Sequence, residues 1–428
     1  MNYAFTLLLF RKNIEMGRKK IYDRPHCKSG LSLGITLFKP SCFRLHKKDC
    51  SMRSVVISGT GLFTPTHIIT NDELVAAFNS YADAHNDRNK DAIERGEISA
   101  VPHSSSEFIE KASGIKRRYV MVKDGILDFE RMMPIIPRRD ETDQSFTAGM
   151  AVAAAKEAIE KAGKQPADID LVICGASTSE RPWPAVAVEI QAALGCSGYA
   201  FDMTVACSTA TFAISTAMDA LLSGSARCAL VVNPEFASPQ INYRDRDSHF
   251  IFGDVATACL LELEETSTAT HRFRIIDRQL KTYFSNNIRT SVNFLTKAEP
   301  DITLERFFER DQFFAQQGRK VFKELLPLIY TLVDGQLQKE RIDIGEIKRL
   351  WLHQANINMN LFVIRHLLGR DAATGEAPVV LDEYANTASA GSIIAFHKYH
   401  DDLASGDKGI ICSFGAGYSI GSLIVEKV

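Results

Sequence analysis

The chain has 428 residues, of which 45% are hydrophobic and 24% charged, so it can fill one large core or two fused ones and is not a disordered chain. Its net charge of -2 is unevenly distributed, because residues 1–51 contain 11 Lys and Arg against 3 Asp and Glu, whereas the remainder contains 39 against 49. The acidic remainder disfavours nucleic acid as a partner, and nine cysteines without CxxC pairs disfavour a disulfide scaffold and a structural zinc site.

The first 51 residues lack the pattern of a membrane span or an export signal. The apolar run Tyr3–Phe10 is shorter than the roughly 20 residues that cross a bilayer, and Arg11 and Lys12 follow it instead of preceding it. We interpret residues 1–51 as a basic extension that is disordered or lies upstream of the true start at Met52. Reduced thiols and the missing signals predict a cytoplasmic protein that binds no membrane.

From Met52 onward, short β-branched runs alternate with amphipathic stretches, which is typical of helices packed on buried, largely parallel sheets. The strand-like runs are residues 54–59, 171–174, 229–232, 350–352 and 410–413. Residues 79–140 and 284–317 contain charged clusters and weak periodicity, so we predict that both segments leave the core.

The same α/β unit occurs twice in the chain. One copy comprises the helix Val152–Ala162, an acidic turn and a strand ending at Cys174; the other comprises the helix Val321–Gln338, an acidic turn and a strand followed by His353. A second pair of helix, turn and strand repeats at the same offset of about 180 residues. A duplicated unit brings equivalent strand ends together, so a site is predicted where the copies meet.

Cys207 is the candidate nucleophile. The stretch Phe201–Phe212 passes from a strand through small residues into a helix, which places Cys207 at or near the helix N-terminus. Free backbone N–H groups and the helix dipole stabilise an anion there, so the thiol pKa is expected to be lowered. Four other cysteines lie inside apolar runs and are interpreted as core residues: Cys174, Cys228, Cys259 and Cys412.

His353 and Asn386 are candidate partners of this nucleophile. His353 follows a strand, in the position that Cys174 occupies in the first copy, and its ring is expected to point out of the sheet edge. Asn386 precedes a small-residue helix start, as Cys207 does. A single His is often structural and Asn is a common N-cap, but their matched places in the repeat favour a functional role.

Two glycine turns and several missing motifs narrow the chemistry. The turns Phe252–Asp254 and Phe414–Gly421 can present backbone N–H groups to a pocket. No GxxxxGK[ST], GxGxxG or HExxH motif occurs. The sequence therefore lacks the motifs that usually indicate nucleotide hydrolysis, hydride transfer and zinc proteolysis.

From Arg53 to Val428 the chain resembles the β-ketoacyl-acyl-carrier-protein synthase III family of the thiolase superfamily, and most of all its β-ketodecanoyl branch. The resemblance is carried by residues 206–208, 353–356, 386–390, 253–254 and 414–417, with 318–323 and 113–116 also fitting. It implies a duplicated, five-layer α/β/α/β/α fold with two mixed sheets, and a homodimer. The expected halves are residues 52–270, carrying the nucleophilic Cys, and residues 271–428, carrying the His and Asn.

The resemblance also implies an acyltransferase that performs a decarboxylative Claisen condensation. Cys207 would take an acyl group from an acyl-CoA, and malonyl-acyl-carrier protein would then lose CO₂ and attack the acyl-Cys. His353 and Asn386 would stabilise the enolate, and backbone N–H groups of Cys207 and Ala416 would form an oxyanion hole, although the family usually has Gly where Ala416 stands. The acyl-CoA and the carrier protein are substrates and partners; no permanently bound cofactor and no metal are expected.

Four positions concern the coenzyme and the carrier protein. By resemblance, Phe108, where the family often has Trp, and Arg246 flank the coenzyme A adenine and phosphates. Ala112 replaces a coenzyme-contacting Arg, and Asn358 replaces a basic residue that helps to dock the carrier protein. Primer recognition and docking are therefore expected to depart from the family pattern.

The primer and the rival functions remain open at this stage. Segment 79–107 is longer than in the common acetyl-primed enzymes, which favours a medium-chain primer such as octanoyl-CoA; acetyl-CoA priming and a thiolase-like enzyme of secondary metabolism are the alternatives. The order Cys, His, Asn also fits a papain-like protease, but no Cys-Trp signature accompanies Cys207. A non-enzymatic scaffold is disfavoured because all three residues are retained.

Overall fold

The computed structural model describes residues 53–140, 142–292, 294–299, 303 and 305–428. The predictions made for residues 1–51 lie outside this part of the chain. Within it, no helix is long and apolar enough to cross a bilayer. The same residues contain no group of three His, Cys, Asp or Glu side chains arranged to hold a metal ion.

Helices and strands alternate through most of the described chain. The α-helices are α1 Asn71–Arg88, α2 Lys90–Glu94, α3 Ser106–Ser113, α4 Phe146–Lys161, α5 Val186–Leu194, α6 Thr209–Ser223, α7 Gly318–Glu340, α8 Ile357–Leu368, α9 Leu381–Tyr384 and α10 Gly391–Lys398. The strands are β1 Val55–Phe63, β2 His67–Thr70, β3 Arg117–Val120, β4 Leu171–Gly175, β5 Tyr199–Met203, β6 Cys228–Glu235, β7 Val255–Leu263, β8 Phe273–Ser285, β9 Ile288–Arg289, β10 Ala315–Gln316, β11 Ile347–Leu352, β12 Lys408–Gly415 and β13 Gly417–Lys427.

Nine strands form one mixed sheet in the order β11-β12-β13-β8-β1-β7-β6-β4-β5. Strand β4 pairs in parallel with β5 and β6, and β11 pairs in parallel with β12. The two mixed sheets expected from the resemblance are continuous here, because β8 pairs with β13 on one side and, through Phe273 and Arg274, with β1 on the other. Strands β1 and β8 pair through only two residues each, so we describe the sheet as two lobes. One lobe comprises β11, β12, β13 and β8, and the other comprises β1, β7, β6, β4 and β5.

The helices form three layers around these two lobes. Helices α6 and α10 lie in the middle and share one apolar cluster with strands of both lobes. Helices α4 and α5 cover the outer face of β4, β6 and β7, and α7 and α8 cover the outer face of β11–β13. This arrangement confirms the predicted five-layer α/β/α/β/α fold.

Helix α4 shows how the sequence permits one of these contacts. Its buried face consists largely of alanines, so it approaches β1 closely. A Cβ at Gly59 would lie 2.1 Å from the Ala158 carbonyl oxygen, and one at Gly61 would lie 1.9 Å from the Ala154 oxygen. Glycine in the strand and alanine in the helix are therefore both required by the spacing of the two layers.

The first predicted excursion forms a separate cap with its own apolar cluster. This cluster unites residues of α1, α3 and the β2–β3 pair with the segment before β7. The weak periodicity of residues 79–140 did not predict α1, which begins with a capping box between Thr70 and Glu73. Nor did it predict that Arg118 is buried and donates to the Ile69 and Phe250 carbonyl oxygens. In the second excursion, β9 pairs with β10.

Candidate active site

Cys207 lies in a short 3₁₀ turn, Ala206–Ser208, between β5 and α6. Ala206 has a φ of 47°, a left-handed conformation that a non-glycine residue rarely adopts. The Thr209 hydroxyl accepts from the Val205 N–H at 2.8 Å and donates to the Ala206 carbonyl at 2.6 Å, which holds the turn. The structure therefore places Cys207 at the start of the helix, as the sequence predicts.

The expected lowering of the Cys207 pKa is wrong. Burial raises the pKa of this thiol to about 12, and the negative charge of Glu235 acts in the same direction. Hydrogen bonds from the backbone N–H groups of Ala416 and Cys207 to the sulfur lower the pKa, but by less than burial raises it. These are the two N–H groups predicted to form an oxyanion hole.

Asn386 occupies an equally constrained loop between α9 and the turn Ala388–Ala390. Ala385 and Ala388 have φ values of 57° and 45°. The backbone of Asn386 is fixed by its N–H to the Ile251 oxygen at 3.0 Å and by the Gly253 N–H to its own oxygen at 3.1 Å. Because the Ala388 N–H donates to Oδ1 at 2.9 Å, the Nδ2 amide is the part of the side chain left to donate to a ligand.

His353 follows β11, and its N–H donates to the Cys412 oxygen at 2.8 Å. The side chain is buried, not directed out of an open sheet edge, because β12 continues beyond it and sets the Phe414 ring edge-on to the imidazole, with 5.3 Å between centroids. Burial lowers the pKa of His353 to about 4, so the ring is neutral at pH 7. Its Nδ1 has no hydrogen-bond partner within the described part of the chain.

The end of β12 brings the candidate residues into one region. Phe414 packs against His353, and the adjacent Gly415 is so close to Cys207 that a Cβ there would lie 3.1 Å from the sulfur. The turn that carries Cys207 also packs against β12, β13 and the turn that follows Asn386. The three candidates, separated by 146 and 33 residues in the chain, are therefore connected through the end of β12 and the turn of Cys207.

A cavity of about 560 Å³ leads to this region. Its wall is built from α3, α7, the start of α8 and the end of the second excursion, and it reaches Asn386. Cys207 and His353 are not part of its lining. The cavity is therefore an approach to the candidate site that ends at Asn386.

Phe108, which lines this cavity, and Arg246, which precedes the lining residue Asp247, form a stacked pair. The guanidinium carbon lies 3.8 Å from the centroid of the Phe108 ring, and Arg246 Nε donates to the His103 oxygen at 2.7 Å. A flat cation over an aromatic ring is a platform on which an adenine can stack. Ala112 and Asn358 also line the cavity, and neither contributes a charge.

Sequence reasoning missed two residues of this region. Arg319, near the start of α7, lines the cavity with a positive charge, although its segment was noted only for its resemblance. Glu235 ends β6, is 1% exposed and bonds to the loop that follows Asn386. An acidic residue at the end of an apolar strand was the available signal for Glu235.

Comparisons with known proteins identify the fold and the family. The sequence profile of 3-oxoacyl-[acyl-carrier-protein] synthase III matches residues 201–283, and the profile of its C-terminal part matches residues 337–427. The chain is 52% identical to a β-ketodecanoyl-[acyl-carrier-protein] synthase of Pseudomonas aeruginosa over 82% of this chain and 99% of the relative. It is 28% identical to a β-ketoacyl-[acyl-carrier-protein] synthase III of Brucella anthropi over 79% of this chain and 95% of the relative.

The structural comparison agrees with the sequence comparison. The crystal structure of 3-oxoacyl-[acyl-carrier-protein] synthase III from Aquifex aeolicus matches with a TM-score of 0.66 and 22% identity, covering 87% of this chain and 99% of that one. This match defines the class of the molecule, a thiolase-like fold. The chain belongs to the 3-oxoacyl-[acyl-carrier-protein] synthase III family, and the predicted resemblance to its β-ketodecanoyl branch is confirmed.

Proposed function

We propose that the protein condenses a medium-chain acyl-CoA, octanoyl-CoA in particular, with malonyl-acyl-carrier protein to form β-ketodecanoyl-acyl-carrier protein. The observation that carries this proposal is the 52% identity, over nearly the whole relative, to an enzyme named for that product. The match to the Brucella anthropi synthase III is much weaker, at 28%. An eight-carbon primer extended by two carbons gives the ten-carbon product.

In the first half of the reaction, Cys207 attacks the carbonyl carbon of the acyl-CoA. The C–S bond to Cys207 forms, the carbonyl oxygen becomes an oxyanion, and the coenzyme A sulfur leaves with the proton that the thiol gives up. The N–H groups of Ala416 and Cys207 lower the pKa of the thiol, so they favour negative charge at this position, and we assign them to the oxyanion on the adjacent carbon. Because the resting thiol has a high pKa, its deprotonation must accompany substrate binding or attack.

In the second half, malonyl-acyl-carrier protein loses CO₂ and the electron pair of the broken C–C bond forms an enolate. The enolate carbon attacks the acyl-Cys carbonyl, and the Cys207 sulfur is released as the β-keto product forms. Neutral donors stabilise an enolate oxygen that appears only during this step. The neutral imidazole of His353 and the Nδ2 amide of Asn386 are the groups assigned to it.

The cavity fits a substrate that carries a nucleotide or a phosphopantetheine arm. The pair of Phe108 and Arg246 provides a stacking platform, and Arg319 provides a positive charge where Ala112 and Asn358 provide none. Phe322, which also lines the cavity, packs edge-on against the exposed ring of Phe362, with centroids 5.5 Å apart. We assign this apolar surface and the nearby Arg319 to docking of the acyl carrier protein.

The remaining proposals concern assembly and location. We propose that residues 52–270 and 271–428 are the two thiolase-like halves, and that two copies associate through β5. Strand β5 lies at the sheet edge with β4 as its one neighbour, and such an edge favours pairing with another strand. A cytoplasmic location is supported by the free state of the six cysteines in the described residues: Cys174, Cys196, Cys207, Cys228, Cys259 and Cys412.

The decisive experiment is the intact mass of the protein after incubation with octanoyl-CoA, followed by addition of malonyl-acyl-carrier protein. We expect an octanoyl adduct on Cys207 that disappears as β-ketodecanoyl-acyl-carrier protein forms. The matched control is Cys207→Ser, which keeps the shape of the side chain but loses the adduct because an alkoxide is much harder to generate than a thiolate. An adduct that survives in Cys207→Ser would overturn the assignment of the nucleophile.

A further inference from the structure

Glu235 is a buried carboxylate that joins two loops of the candidate site. One loop, after β4, supplies the Ser177 N–H at 2.9 Å and the Ser177 hydroxyl at 2.5 Å. The other, after Asn386, supplies the Ser389 N–H at 3.1 Å and the Ser389 hydroxyl. Four donors thus converge on one side chain that is 1% exposed, an arrangement in which both carboxylate oxygens are satisfied.

The bonds to Ser389 bear directly on Asn386. Ser389 lies three residues after Asn386, in the same turn as Ala388, whose N–H fixes the Asn386 Oδ1 atom. Ala385 and Ala388 both have left-handed φ values, so this loop needs external contacts to keep its conformation. Glu235 supplies such a contact from the neighbouring sheet strand.

The nucleophile is tied to the same framework from the other side. The hydroxyl of Thr209, which holds the Cys207 turn by donating to Ala206, shares its proton weakly with the Ala176 oxygen at 3.4 Å, one residue before Ser177. The turn of Cys207 packs against the turn of Ser389. The loop after β4 is therefore attached to the nucleophile through Thr209 and to the Asn386 loop through Glu235.

We propose that Glu235 is a positioning residue for the condensation step. Its hydrogen bonds to Ser177 and Ser389, here called the clamp, fix the loop of Ser389 and thereby orient the Asn386 amide toward the enolate. The inference rests on the proposed function, since it deepens the role given to Asn386. Glu235 touches neither substrate nor the reacting atoms in this role. Its own contacts lie with the two serines behind the site.

The charge of Glu235 is expected to affect acylation and condensation differently. A carboxylate near Cys207 raises the pKa of the thiol, so removal of that charge favours the thiolate. Burial raises the pKa of Glu235 itself to about 7, so part of the population carries the charge at neutral pH. Loss of the clamp is therefore expected to leave acylation unchanged or faster while condensation becomes slower.

The test uses Glu235→Gln and Ser389→Ala in the full chain. Glu235→Gln keeps the shape of the side chain but has one accepting oxygen in place of two, and Ser389→Ala removes one hydroxyl from the same clamp. Single-turnover labelling of Cys207 by octanoyl-CoA is followed by mass, and CO₂ release from malonyl-acyl-carrier protein is measured separately. We expect labelling within threefold of wild type or faster, and CO₂ release at least tenfold slower, in both variants.

Ser392→Ala is the matched control. Ser392 is equally buried and lies three residues further along, but its hydroxyl bonds to Ser413 at 2.9 Å and not to Glu235. It should leave both steps within threefold of wild type. The double variant Glu235→Gln/Ser389→Ala should be no more than threefold slower in CO₂ release than the slower single variant, because both changes break one clamp.

The outcomes separate this inference from the proposed function. If wild-type protein forms no adduct, the proposed function fails. If wild type condenses normally and both variants release CO₂ within threefold of it, Glu235 is not a positioning residue. Parallel loss of labelling and CO₂ release in Ser389→Ala, with unchanged thermal unfolding, would also overturn the assignment to condensation.

Discussion

Gly415 and Cys207 are in such close contact that a Cβ on Gly415 would lie 2.6 Å from the Cβ of Cys207. Real Cβ atoms do not approach so closely, so any side chain at position 415 displaces the nucleophile or the end of β12. Phe414, the residue before Gly415, packs its ring on His353, and Ala416, the residue after it, has a backbone N–H that lowers the pKa of the Cys207 thiol. One glycine therefore sets the spacing between Cys207 and the segment that carries Ala416, the nucleophile and the oxyanion donor that we propose.

We predict that Gly415→Ala slows acylation of Cys207 at least tenfold, because the added methyl group moves the sulfur away from the Ala416 N–H. The measurement is single-turnover labelling by octanoyl-CoA. Gly318→Ala is the matched control, since a Cβ at Gly318 meets nothing within 4 Å although the residue lines the cavity. Wild-type labelling rates in Gly415→Ala would show that the contact does not position the thiol.

His353→Ala and Asn386→Ala are each predicted to lose decarboxylation and condensation while keeping acylation. Both residues are assigned to the enolate, and loss of one such donor typically costs about 10²- to 10³-fold in rate. Labelling by acyl-CoA, run beside CO₂ release from malonyl-acyl-carrier protein, separates the two steps. Loss of labelling in both variants would contradict this division of roles.

The elevated pKa of Cys207 predicts how its reactivity depends on pH. Far below the pKa the thiolate fraction grows about tenfold per pH unit, so alkylation of Cys207 by iodoacetamide should keep rising from pH 6 to 9 without a plateau. Ionisation of Glu235 near pH 7 raises the thiol pKa further and should flatten the rise there. Peptide mass spectrometry measures the rate at this cysteine, and a plateau below pH 8 would restore the expectation of a lowered pKa.

Local sequence patterns predicted the central strands because burial on both faces leaves continuous β-branched runs. The run Leu171–Cys174 differs from the observed strand by one residue, Gly175. The cap was less predictable: α1 buries Leu74 and Phe78 on a face interrupted by charged residues. The passage from a strand through small residues placed Cys207 correctly at a helix start, and the similar pattern after Asn386 placed that residue before α10.

Features that depend on contacts distant in sequence could not be predicted. Glu235 bonds to residues 58 and 154 positions away, so nothing near it in the chain reveals the clamp. The pKa of Cys207 was misjudged for the same reason, because the helix start is visible in sequence whereas the packing of β12 and β13 around the sulfur is not. Helix position alone therefore does not determine the ionisation of a buried thiol.

Arg246→Ala is predicted to weaken coenzyme recognition. A guanidinium stacked on the adenine ring contributes about 0.5 to 2 kcal/mol to binding, so loss of that contact should raise KM for octanoyl-CoA by a few-fold up to about 30-fold. With octanoyl-N-acetylcysteamine, which has no nucleotide, the variant should match wild type. Arg244→Ala is the control, because Arg244 lies over the Tyr81 ring, with 5.5 Å to its centroid, and Tyr81, unlike Phe108, is not part of the cavity lining. Equal effects on both substrates would exclude a nucleotide contact.

The last prediction concerns the primer: octanoyl-CoA should acylate Cys207 with a higher kcat/KM than acetyl-CoA. Phe108 follows the long segment 79–107 directly, and Phe314 lies near the end of the second excursion, residues 284–317. Both line the cavity, so the two segments are in place to shape the entrance. Each buried CH₂ contributes up to about 0.8 kcal/mol, so six extra methylenes could favour octanoyl by roughly 4 to 5 kcal/mol. Incomplete burial and chain ordering reduce this gain, yet about 1.4 kcal/mol retained is still a tenfold preference. The test is a competition among equimolar acetyl-, butyryl-, octanoyl- and decanoyl-CoA, in which the mass of the Cys207 adduct identifies the preferred primer. Predominant acetyl labelling would show that the protein is acetyl-primed.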